Sequence, residues 1–243
     1  MFMLSSWVWI FIGGIMKICF FDMEGTLLEK NSFLDNGKVA PSAWTVLAKE
    51  ISEACFIEEE KTKDLWLANK YISYTQWMKE TVEIQIKHGM HKRHLQTILS
   101  QAKIQKGALD LVHFLKSQGF LTVLISGGFK ELADLTQRSL KIDHAYSACE
   151  YFFDNNGRVE HFNLLPTDEE GKLVFMKHLA SEYNSELENC IFIGDGKNDV
   201  FIAKNVGTSI AFNAQKELRE VSTFILEQEV PDLSAIIDLL RTH

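Results

Sequence analysis

The sequence lacks an excess of basic residues. Of its 243 residues, 25 are Lys or Arg and 33 are Asp or Glu, which gives a formal net charge of −8 with neutral histidines. Proteins that bind the phosphate backbone of nucleic acids present a basic face, so this charge balance argues against a nucleic-acid partner. A small anionic substrate needs only local positive charge, and the composition does not exclude one.

Cysteine is scarce and shows no metal-binding spacing. The four cysteines form no CxxC pair, and no zinc-ligand spacing is present. Cys19 and Cys190 lie inside apolar runs that are typical of buried strands. We therefore expect reduced core cysteines in a cytoplasmic protein.

The sequence also lacks a long uninterrupted apolar run. Residues 1–16 are uncharged and rich in large apolar side chains, but Lys17 ends this run. A membrane helix needs roughly 20 apolar residues, and the segment has neither the basic start nor the cleavage site of a signal peptide. We expect residues 1–15 to be an N-terminal extension upstream of the true start at Met16, and we expect no membrane partner. A short membrane or partner anchor is the alternative.

From Lys17 onward, short apolar runs alternate with amphipathic segments, without internal repeats or low-complexity tracts. This alternation predicts parallel strands that are covered by helices on both faces of a sheet. The predicted strands are 17–21, 121–125, 190–193, 209–212 and 223–226, with a hairpin over 151–162 around an Asn-Asn-Gly turn. The predicted helices are 130–140, 169–183 and one that begins at Asp232.

Residues 42–101 interrupt the alternation with apolar residues spaced three and four apart, which predicts helices. The block is too long for a crossover between strands, so we interpret it as a lid. The predicted fold class is therefore α/β, with a Rossmann-like, doubly wound parallel sheet and a helical cap inserted after the first strand. We assign residues 16–33 and 105–243 to the core and residues 34–104 to the cap.

The predicted cap carries five tryptophan and tyrosine side chains. At helical spacing, aromatic residues belong more often to a core than to a substrate platform, so we expect core packing here. These residues are Trp44, Trp66, Tyr71, Tyr74 and Trp77.

Ligands of open α/β sheets bind at the carboxyl ends of the strands, so the residues that follow each strand are the candidates for chemistry. Asp22 and Glu24 follow the first strand, and two carboxylates at this spacing can divide the roles of nucleophile and general acid/base. Gly25 permits the tight turn that lets both carboxylates face one site. A strand-end turn with solvated acids is the alternative.

Two later segments offer groups that bind anions. Ser126-Gly127-Gly128 combines a hydroxyl with free backbone N–H groups at a predicted helix start, which suits a phosphate; a glycine-rich helix entry is the alternative. Thr167 and Glu170 have capping-box spacing, which places Lys172 near a helix N-terminus. A cation is unfavourable there, which indicates an anionic partner, with a solvated surface lysine as the alternative.

The segment after the strand at 190–193 is dense in oxygen ligands. Asp195, Asn198 and Asp199 lie in the sequence GDGKND at a predicted strand-to-helix turn. Hard oxygen ligands of this kind suit Mg²⁺, which keeps waters and shares a substrate phosphate. An Asp-Gly turn is the alternative, but it explains only Asp195 and Gly196 and not the dense polar cluster that follows an apolar strand.

As a set, the motifs DMEGT, ISGG, Lys172 and GDGKND resemble those of the haloacid dehalogenase superfamily, in its phosphoserine-phosphatase-like branch. The resemblance spans about residues 16–243. It implies a hydrolase that removes phosphate from a small phosphate monoester, with Mg²⁺ as cofactor and an aspartyl-phosphate intermediate.

The resemblance also implies a role for each matching residue. Asp22 would attack phosphorus, and Glu24 would protonate the leaving alcohol and then activate water. The implied metal ligands are Asp22, the Glu24 backbone carbonyl, Asp195 and Asp199. The implied phosphate-binding residues are Ser126, Gly127, Lys172 and Asn198.

Three positions depart from the pattern of the branch. Glu24 stands where most members have Asp, so the proton-transferring arm is longer. Asn31 replaces the Glu that binds the substrate ammonium in phosphoserine phosphatases, although Glu29 is nearby. Thr81 replaces the cap arginine that binds the substrate carboxylate, with Lys79 nearby. Recognition of phosphoserine by the usual residues is therefore not expected.

Two other functions are compatible with the same motifs. One is a binding or regulatory member of the fold with weak catalysis, for which Glu24 is the only argument. The other is transfer of the phosphoryl group to an acceptor alcohol instead of water. The complete set of Asp22, Lys172 and Asp195 favours an enzyme.

Overall fold

The computed structural model describes residues 16–242. The predicted N-terminal extension, residues 1–15, lies outside these described residues. Within residues 16–242, no helix combines the length and the apolar character needed to cross a membrane.

One seven-stranded sheet organises the described part of the chain. Its strands are β1 (Lys17–Phe21), β2 (Phe120–Phe129), β3 (His144–Phe153), β4 (Val159–Leu164), β5 (Cys190–Gly194), β6 (Thr208–Phe212) and β7 (Phe224–Leu226). Their order in the sheet is β4-β3-β2-β1-β5-β6-β7. All neighbouring strands are parallel except β3 and β4, which form the predicted hairpin. The predicted α/β fold with a doubly wound sheet is confirmed.

The position of β1 in the middle of the sheet explains why its sequence is continuously apolar from Ile18 to Phe21. Cys19 and Phe21 belong to the hydrophobic cluster on one face of the sheet, and Ile18 and Phe20 belong to the cluster on the other face. Successive side chains of a strand point to opposite faces, so a strand buried on both faces has no polar positions. All four cysteines of the chain are buried and free of disulfides, as expected.

Helices cover the sheet and form the block that follows β1. The helices are α1 (Ala43–Ile51), α2 (Glu53–Leu67), α3 (Tyr74–Lys87), α4 (Lys92–Gln101), α5 (Ala108–Ser117), α6 (Lys130–Leu140), α7 (Glu169–Glu182), α8 (Val200–Ala203), α9 (Lys216–Arg219) and α10 (Ala235–Thr242). Helices α1 to α4 occupy the predicted helical block. Ser52 and Ser73 cap α2 and α3, because their side chains accept hydrogen bonds from backbone N–H groups of the first turns.

Two local predictions at the strand ends were wrong. Ser126-Gly127-Gly128 lies within β2, which continues to Phe129 with a shift of register against β3, so α6 begins only at Lys130. Because glycine has no side chain, β2 can bend at Gly127 and Gly128 while it stays paired. Thr167 does not cap α7, because its hydroxyl donates to the Ser126 carbonyl oxygen at 2.8 Å. Asp168 is the N-cap instead.

The helical block joins the sheet through two adjacent chain segments. The Glu29 N–H donates to the Lys103 carbonyl oxygen, and the Gln105 N–H donates to the Leu27 carbonyl oxygen, both at 2.9 Å. The division into a core and a cap remains a proposal, and these hydrogen bonds lie where the proposed boundary falls.

A buried hydrogen bond also ties α3 to the sheet. The Tyr151 hydroxyl on β3 donates to Gln85 Oε1 on α3 at 2.6 Å, and both side chains are buried. A buried amide oxygen that is left without a donor lowers the stability of the fold by more than the net contribution of one hydrogen bond.

Replacing Tyr151 by Phe should therefore lower the free energy of unfolding by about 1–3 kcal/mol, because Gln85 Oε1 is left without its donor. Urea-induced unfolding of the variant and the wild type measures this difference. Tyr146→Phe is the matched control, since Tyr146 lies on the same strand and its hydroxyl has no hydrogen bond to a residue in 16–242. Equal stabilities of Tyr151→Phe and the wild type would contradict the prediction.

Candidate active site

Three aspartates meet at the carboxyl edge of the sheet. Asp22 follows β1, whereas Asp195 and Asp199 follow β5. One carboxylate oxygen of each lies within 4.8 Å of those of the other two, and all three residues are buried. The Asp22 N–H donates to the Ile193 carbonyl oxygen at 2.9 Å, which extends the pairing of β1 with β5. This pairing holds the two strand ends, and hence the carboxylates, side by side.

Lys172 reaches the aspartates from the N-terminal part of α7. Its ammonium donates to Asp22 Oδ1 at 2.7 Å and to Asp199 Oδ1 at 2.9 Å, and its side chain has no exposed surface. A buried ammonium requires opposite charge within hydrogen-bonding distance. The two carboxylates supply that charge, and the burial of Lys172 excludes the alternative of a solvated surface lysine.

The aspartate cluster is short of positive charge. Burial raises the pKa of Asp195 and of Asp199 above its usual range, although Lys30 and Lys172 respectively act to lower it. Burial acts to lower the pKa of Lys172, but Asp199 and Asp22 outweigh this effect and raise that pKa. An additional cation among these carboxylates would stabilise their charged forms.

The donor atoms in the cluster fit a hard divalent cation. Asp22 Oδ2 and Asp195 Oδ1 accept no hydrogen bond from any residue in the described range 16–242. Mg²⁺ prefers oxygen ligands such as carboxylates and keeps several waters. The cluster therefore offers two carboxylate oxygens whose lone pairs are free to bind such an ion.

A second lysine contacts the cluster, and the sequence patterns did not single it out. Lys30 Nζ donates to Asp195 Oδ2 at 2.6 Å from the loop that follows β1. Gly25 permits this approach, because a β-carbon there would lie 2.3 Å from Asp195 Oδ2 and 2.8 Å from Lys30 Nζ. Its φ of +86° also favours glycine. Lys30 lies in an irregular loop without periodicity, so no pattern in the sequence pointed to it.

Glu24 is held by the first helix of the block. The Ala43 N–H donates to Glu24 Oε2 at 2.6 Å. Burial raises the pKa of Glu24 to about 7, although the Ala43 N–H and Lys30 act to lower it. A β-carbon on Gly128 would lie 2.8 Å from Glu24 Oε1, so the glycine leaves room for this carboxyl. The carboxyl can therefore both release and accept a proton near neutral pH.

The serine–glycine segment at the end of β2 is fixed by its own hydroxyl and by the helical block. The Gly128 N–H donates to Ser126 Oγ at 3.0 Å. The Gly127 carbonyl oxygen accepts two hydrogen bonds, from Trp44 Nε1 at 2.8 Å and from the Tyr74 hydroxyl at 3.0 Å. The predicted phosphate-binding segment is thus in direct contact with α1 and α3 of the block.

Asn198 contacts an aspartate that sequence reasoning missed. Its Nδ2 donates to Asp168 Oδ1 at 2.7 Å. Burial raises the pKa of Asp168, while Lys172 and Asn198 act to lower it. The sequence gives no signal for this contact, because an aspartate at a helix start is common for capping alone.

A cavity of about 340 Å³ connects the aspartates to the helical block. Its lining includes Asp22, Glu24 and Ser126 on one side and four aromatic residues of the block on the other: Trp44, Trp66, Tyr74 and Trp77. The expected core packing holds for three of them, because Trp44 belongs to the main hydrophobic cluster and Tyr74 and Trp77 pack against it. The same side chains also face the cavity, which the sequence did not indicate.

The two substrate-recognition positions that depart from the phosphoserine phosphatase pattern bring no charge to this cavity. Thr81 lines it and is buried. Asn31 lies outside its lining and donates to the Gln101 carbonyl oxygen at 3.2 Å. Lys79 is exposed and pairs with Glu83 at 3.8 Å. Glu29 and Lys79, the charged residues near these two positions, both lie outside the lining of the cavity.

Known proteins resemble the chain over most of its length. A sequence profile of the haloacid dehalogenase-like hydrolases matches residues 16–207. A phosphoserine phosphatase of Archaeoglobus fulgidus is 26% identical over 218 residues, which cover 88% of this chain and 57% of that protein. Phosphoserine phosphatase SerB2 of Mycobacterium tuberculosis is 30% identical over 155 residues, or 63% of this chain and 36% of that protein. The chain thus spans only part of these two relatives.

A relative of similar length also matches. The phosphoserine phosphatase of Methanocaldococcus jannaschii is 24% identical over 233 residues, which cover 93% of this chain and 98% of that protein.

Solved structures share the fold. A phosphoserine phosphatase with an analogue of its phospho-aspartyl intermediate has a TM-score of 0.71 at 21% identity, covering 93% of this chain and 99% of that one. A substrate-bound phosphoserine phosphatase has a TM-score of 0.71 at 20% identity, with the same coverage. At this identity the likeness establishes the fold. Because the family profile covers most of its length, the chain belongs to the haloacid dehalogenase-like hydrolase family.

Proposed function

We propose that this hydrolase is a Mg²⁺-dependent phosphatase, which cleaves a small phosphate monoester through an aspartyl-phosphate intermediate on Asp22. The observation that carries the proposal is the buried cluster of Asp22, Asp195 and Asp199 with the Lys172 ammonium bound to it. A nucleophilic carboxylate beside a fixed cation and free oxygen ligands is suited to phosphoryl transfer.

The chemistry divides into two steps with balanced proton transfers. An Asp22 carboxylate oxygen attacks phosphorus, the ester bond between phosphorus and oxygen breaks, and the Glu24 carboxyl gives its proton to the leaving alkoxide. The Glu24 carboxylate then accepts a proton from water, whose oxygen attacks the phosphorus. The bond to Asp22 breaks, and inorganic phosphate leaves. A Glu24 pKa near 7 supports both proton transfers.

The phosphoryl group would be held by groups that surround Asp22. The proposed contacts are the Ser126 hydroxyl, the Gly127 N–H, the Lys172 ammonium and the Asn198 amide. Phosphoryl transfer requires mainly positioning and neutralisation of charge on the phosphoryl oxygens. The hydrogen bonds to the Gly127 carbonyl support this assignment, because they fix the backbone of the residue whose N–H is a proposed donor.

The aspartate cluster would hold the Mg²⁺. The proposed ligands are the side chains of Asp22, Asp195 and Asp199 and the backbone carbonyl of Glu24. The ion, when bound, neutralises charge on the transferring phosphoryl group. Support comes from the two carboxylate oxygens without a hydrogen-bond donor in residues 16–242 and from the burial that raises the pKa of Asp195 and of Asp199.

The size of the cavity supports a small substrate. About 340 Å³ is at the lower end of the range of small-molecule sites, roughly 300–1,000 Å³. The named relatives are phosphoserine phosphatases, and this similarity supports a small phosphorylated metabolite as the substrate. We also propose a cytoplasmic location, because four buried free thiols suit a reducing compartment.

Replacing Asp22 by Asn should abolish hydrolysis of p-nitrophenyl phosphate, because the amide cannot form the acyl phosphate. Removal of divalent ions with a chelator should abolish the wild-type activity, and added Mg²⁺ should restore it. Release of nitrophenolate measures both effects. Asp134→Asn is the matched control, since Asp134 pairs with Lys130 on the outer surface of α6. Turnover that persists in Asp22→Asn would exclude the proposed mechanism.

Replacing Glu24 by Gln should lower steady-state turnover by about 10²–10⁴-fold, because proton transfer to the alcohol and from water is lost. Nitrophenolate needs no proton to leave, so p-nitrophenyl phosphate should still show one rapid turnover per enzyme. Stopped-flow absorbance measures this burst. Glu29→Gln, an exposed change in the same loop, should behave as the wild type. An unchanged steady-state rate would remove Glu24 from the mechanism.

A further inference from the structure

Four aromatic side chains of the helical block form one wall of the cavity that contains Asp22, and none of the steps proposed above uses them. We call this surface the aromatic wall, and its members are Trp44, Trp66, Tyr74 and Trp77. Trp44 is buried, whereas the other three are half-buried. Three of the four rings therefore keep accessible surface that a ligand in the cavity could contact.

The polar atoms of three of these side chains are already bonded within the protein. Trp44 Nε1 and the Tyr74 hydroxyl donate to the Gly127 carbonyl oxygen at 2.8 and 3.0 Å. Trp77 Nε1 donates to Thr62 Oγ1 at 2.8 Å. These rings consequently offer a ligand their apolar surface, which binds by removal of apolar area from water.

The rings of the aromatic wall also contact one another. Trp66 and Trp77 stack with their ring centroids 5.1 Å apart and an angle of 12° between their planes, and Tyr74 meets both rings edge-on. Stacked and edge-to-face rings attract each other by more than the burial of their area. An aromatic ligand can extend this cluster through the same contacts, whereas an aliphatic ligand gains only the burial of area.

The block offers the cavity few charged groups. Among residues 16–242, Glu59 and Lys63 are the only acidic or basic side chains that the block contributes to the lining. Glu59 is 2% exposed and accepts a hydrogen bond from Gln85, and Lys63 pairs with Glu60. Both groups are thus bonded within the protein, and the surface that remains on this side of the cavity is mainly apolar.

The aromatic wall begins next to the proposed phosphate site. The carbonyl oxygen that Trp44 and Tyr74 contact belongs to Gly127, whose N–H is a proposed phosphate donor. A ring that is joined to the phosphate by one methylene group would therefore reach the wall. The cavity of about 340 Å³ has room for both parts, since a protein cavity of about 150 Å³ can hold benzene.

We propose that the aromatic wall binds an aromatic ring in the alcohol portion of the substrate, so that the enzyme prefers arylmethyl phosphates to small aliphatic phosphate esters. This inference rests on the proposed phosphatase function and adds the substrate class. The uncharged Thr81 in the lining of the cavity agrees with it, because an aromatic ring requires no charged partner there.

The test compares benzyl, cyclohexylmethyl and methyl phosphate with the wild-type protein and Mg²⁺. All three are esters of primary alcohols of similar acidity, so differences in kcat/KM report contacts of the alcohol portion. We expect kcat/KM for benzyl phosphate to be at least about tenfold above that for methyl phosphate, because the area of the ring is removed from water. It should be about two- to tenfold above that for cyclohexylmethyl phosphate, which is the scale of contacts between aromatic rings.

The variant Trp66→Leu should lower kcat/KM for benzyl phosphate by a factor at least about fivefold larger than for methyl phosphate, because leucine cannot stack on a ring. Leu65→Ala is the matched control, since it removes apolar surface from an exposed position of α2 that lies outside the lining of the cavity. Leu65→Ala should retain the wild-type ratio of the two substrates. Thermal unfolding of each variant verifies that it is folded.

Equal kcat/KM values for benzyl and methyl phosphate in the wild type would overturn the inference, even if Trp66→Leu fails to fold. A value for cyclohexylmethyl phosphate or for O-phosphoserine that equals or exceeds that for benzyl phosphate would overturn it as well, and so would an equal decrease for benzyl and methyl phosphate in a folded Trp66→Leu variant. These outcomes leave the proposed function intact, provided that the wild type hydrolyses p-nitrophenyl phosphate with Mg²⁺. Failure of that hydrolysis is the separate result that rejects the proposed function itself.

Discussion

The ion pairs of the buried Lys172 ammonium with Asp22 and Asp199 are the interaction on which the rest of the site depends. They bring together α7 and the ends of β1 and β5, which are distant in sequence. Removing one partner from a buried ion pair typically costs about 3–5 kcal/mol, because the remaining charge is left without compensation. The arrangement therefore fixes the proposed nucleophile and provides positive charge at the place where phosphoryl oxygens would lie.

The helical block completes this site instead of only covering it. Ala43 on α1 holds the Glu24 carboxyl, while Trp44 and Tyr74 hold the Gly127 carbonyl oxygen. The proposed acid/base and the phosphate-binding segment are thus both positioned by the block. Movement of the block away from the sheet would disrupt the positions of both, so we infer that closure of the proposed cap and formation of the catalytic geometry are coupled.

The sequence predicted the side chains that follow apolar strands, because parallel strands bring their carboxyl ends to one edge of the sheet for any conformation of the loops. Asp22, Asp195 and Asp199 are therefore together as that rule requires. It missed Lys30 and Asp168, which contact Asp195 and Asn198 from distant segments. A lysine in an irregular loop and an aspartate at a helix start look like surface residues until the fold shows that they are paired.

The central claim is that Asp22 becomes phosphorylated during turnover. Borohydride reduces an acyl phosphate to an alcohol and leaves a free carboxylate unchanged, so it converts phosphorylated aspartate to homoserine. The measurement is mass spectrometry of peptides after borohydride treatment of the Glu24→Gln variant that is turning over p-nitrophenyl phosphate with Mg²⁺. We predict homoserine at position 22 only when substrate is present. Homoserine at another aspartate, or an unmodified Asp22 in an enzyme that has released nitrophenolate, would contradict the account.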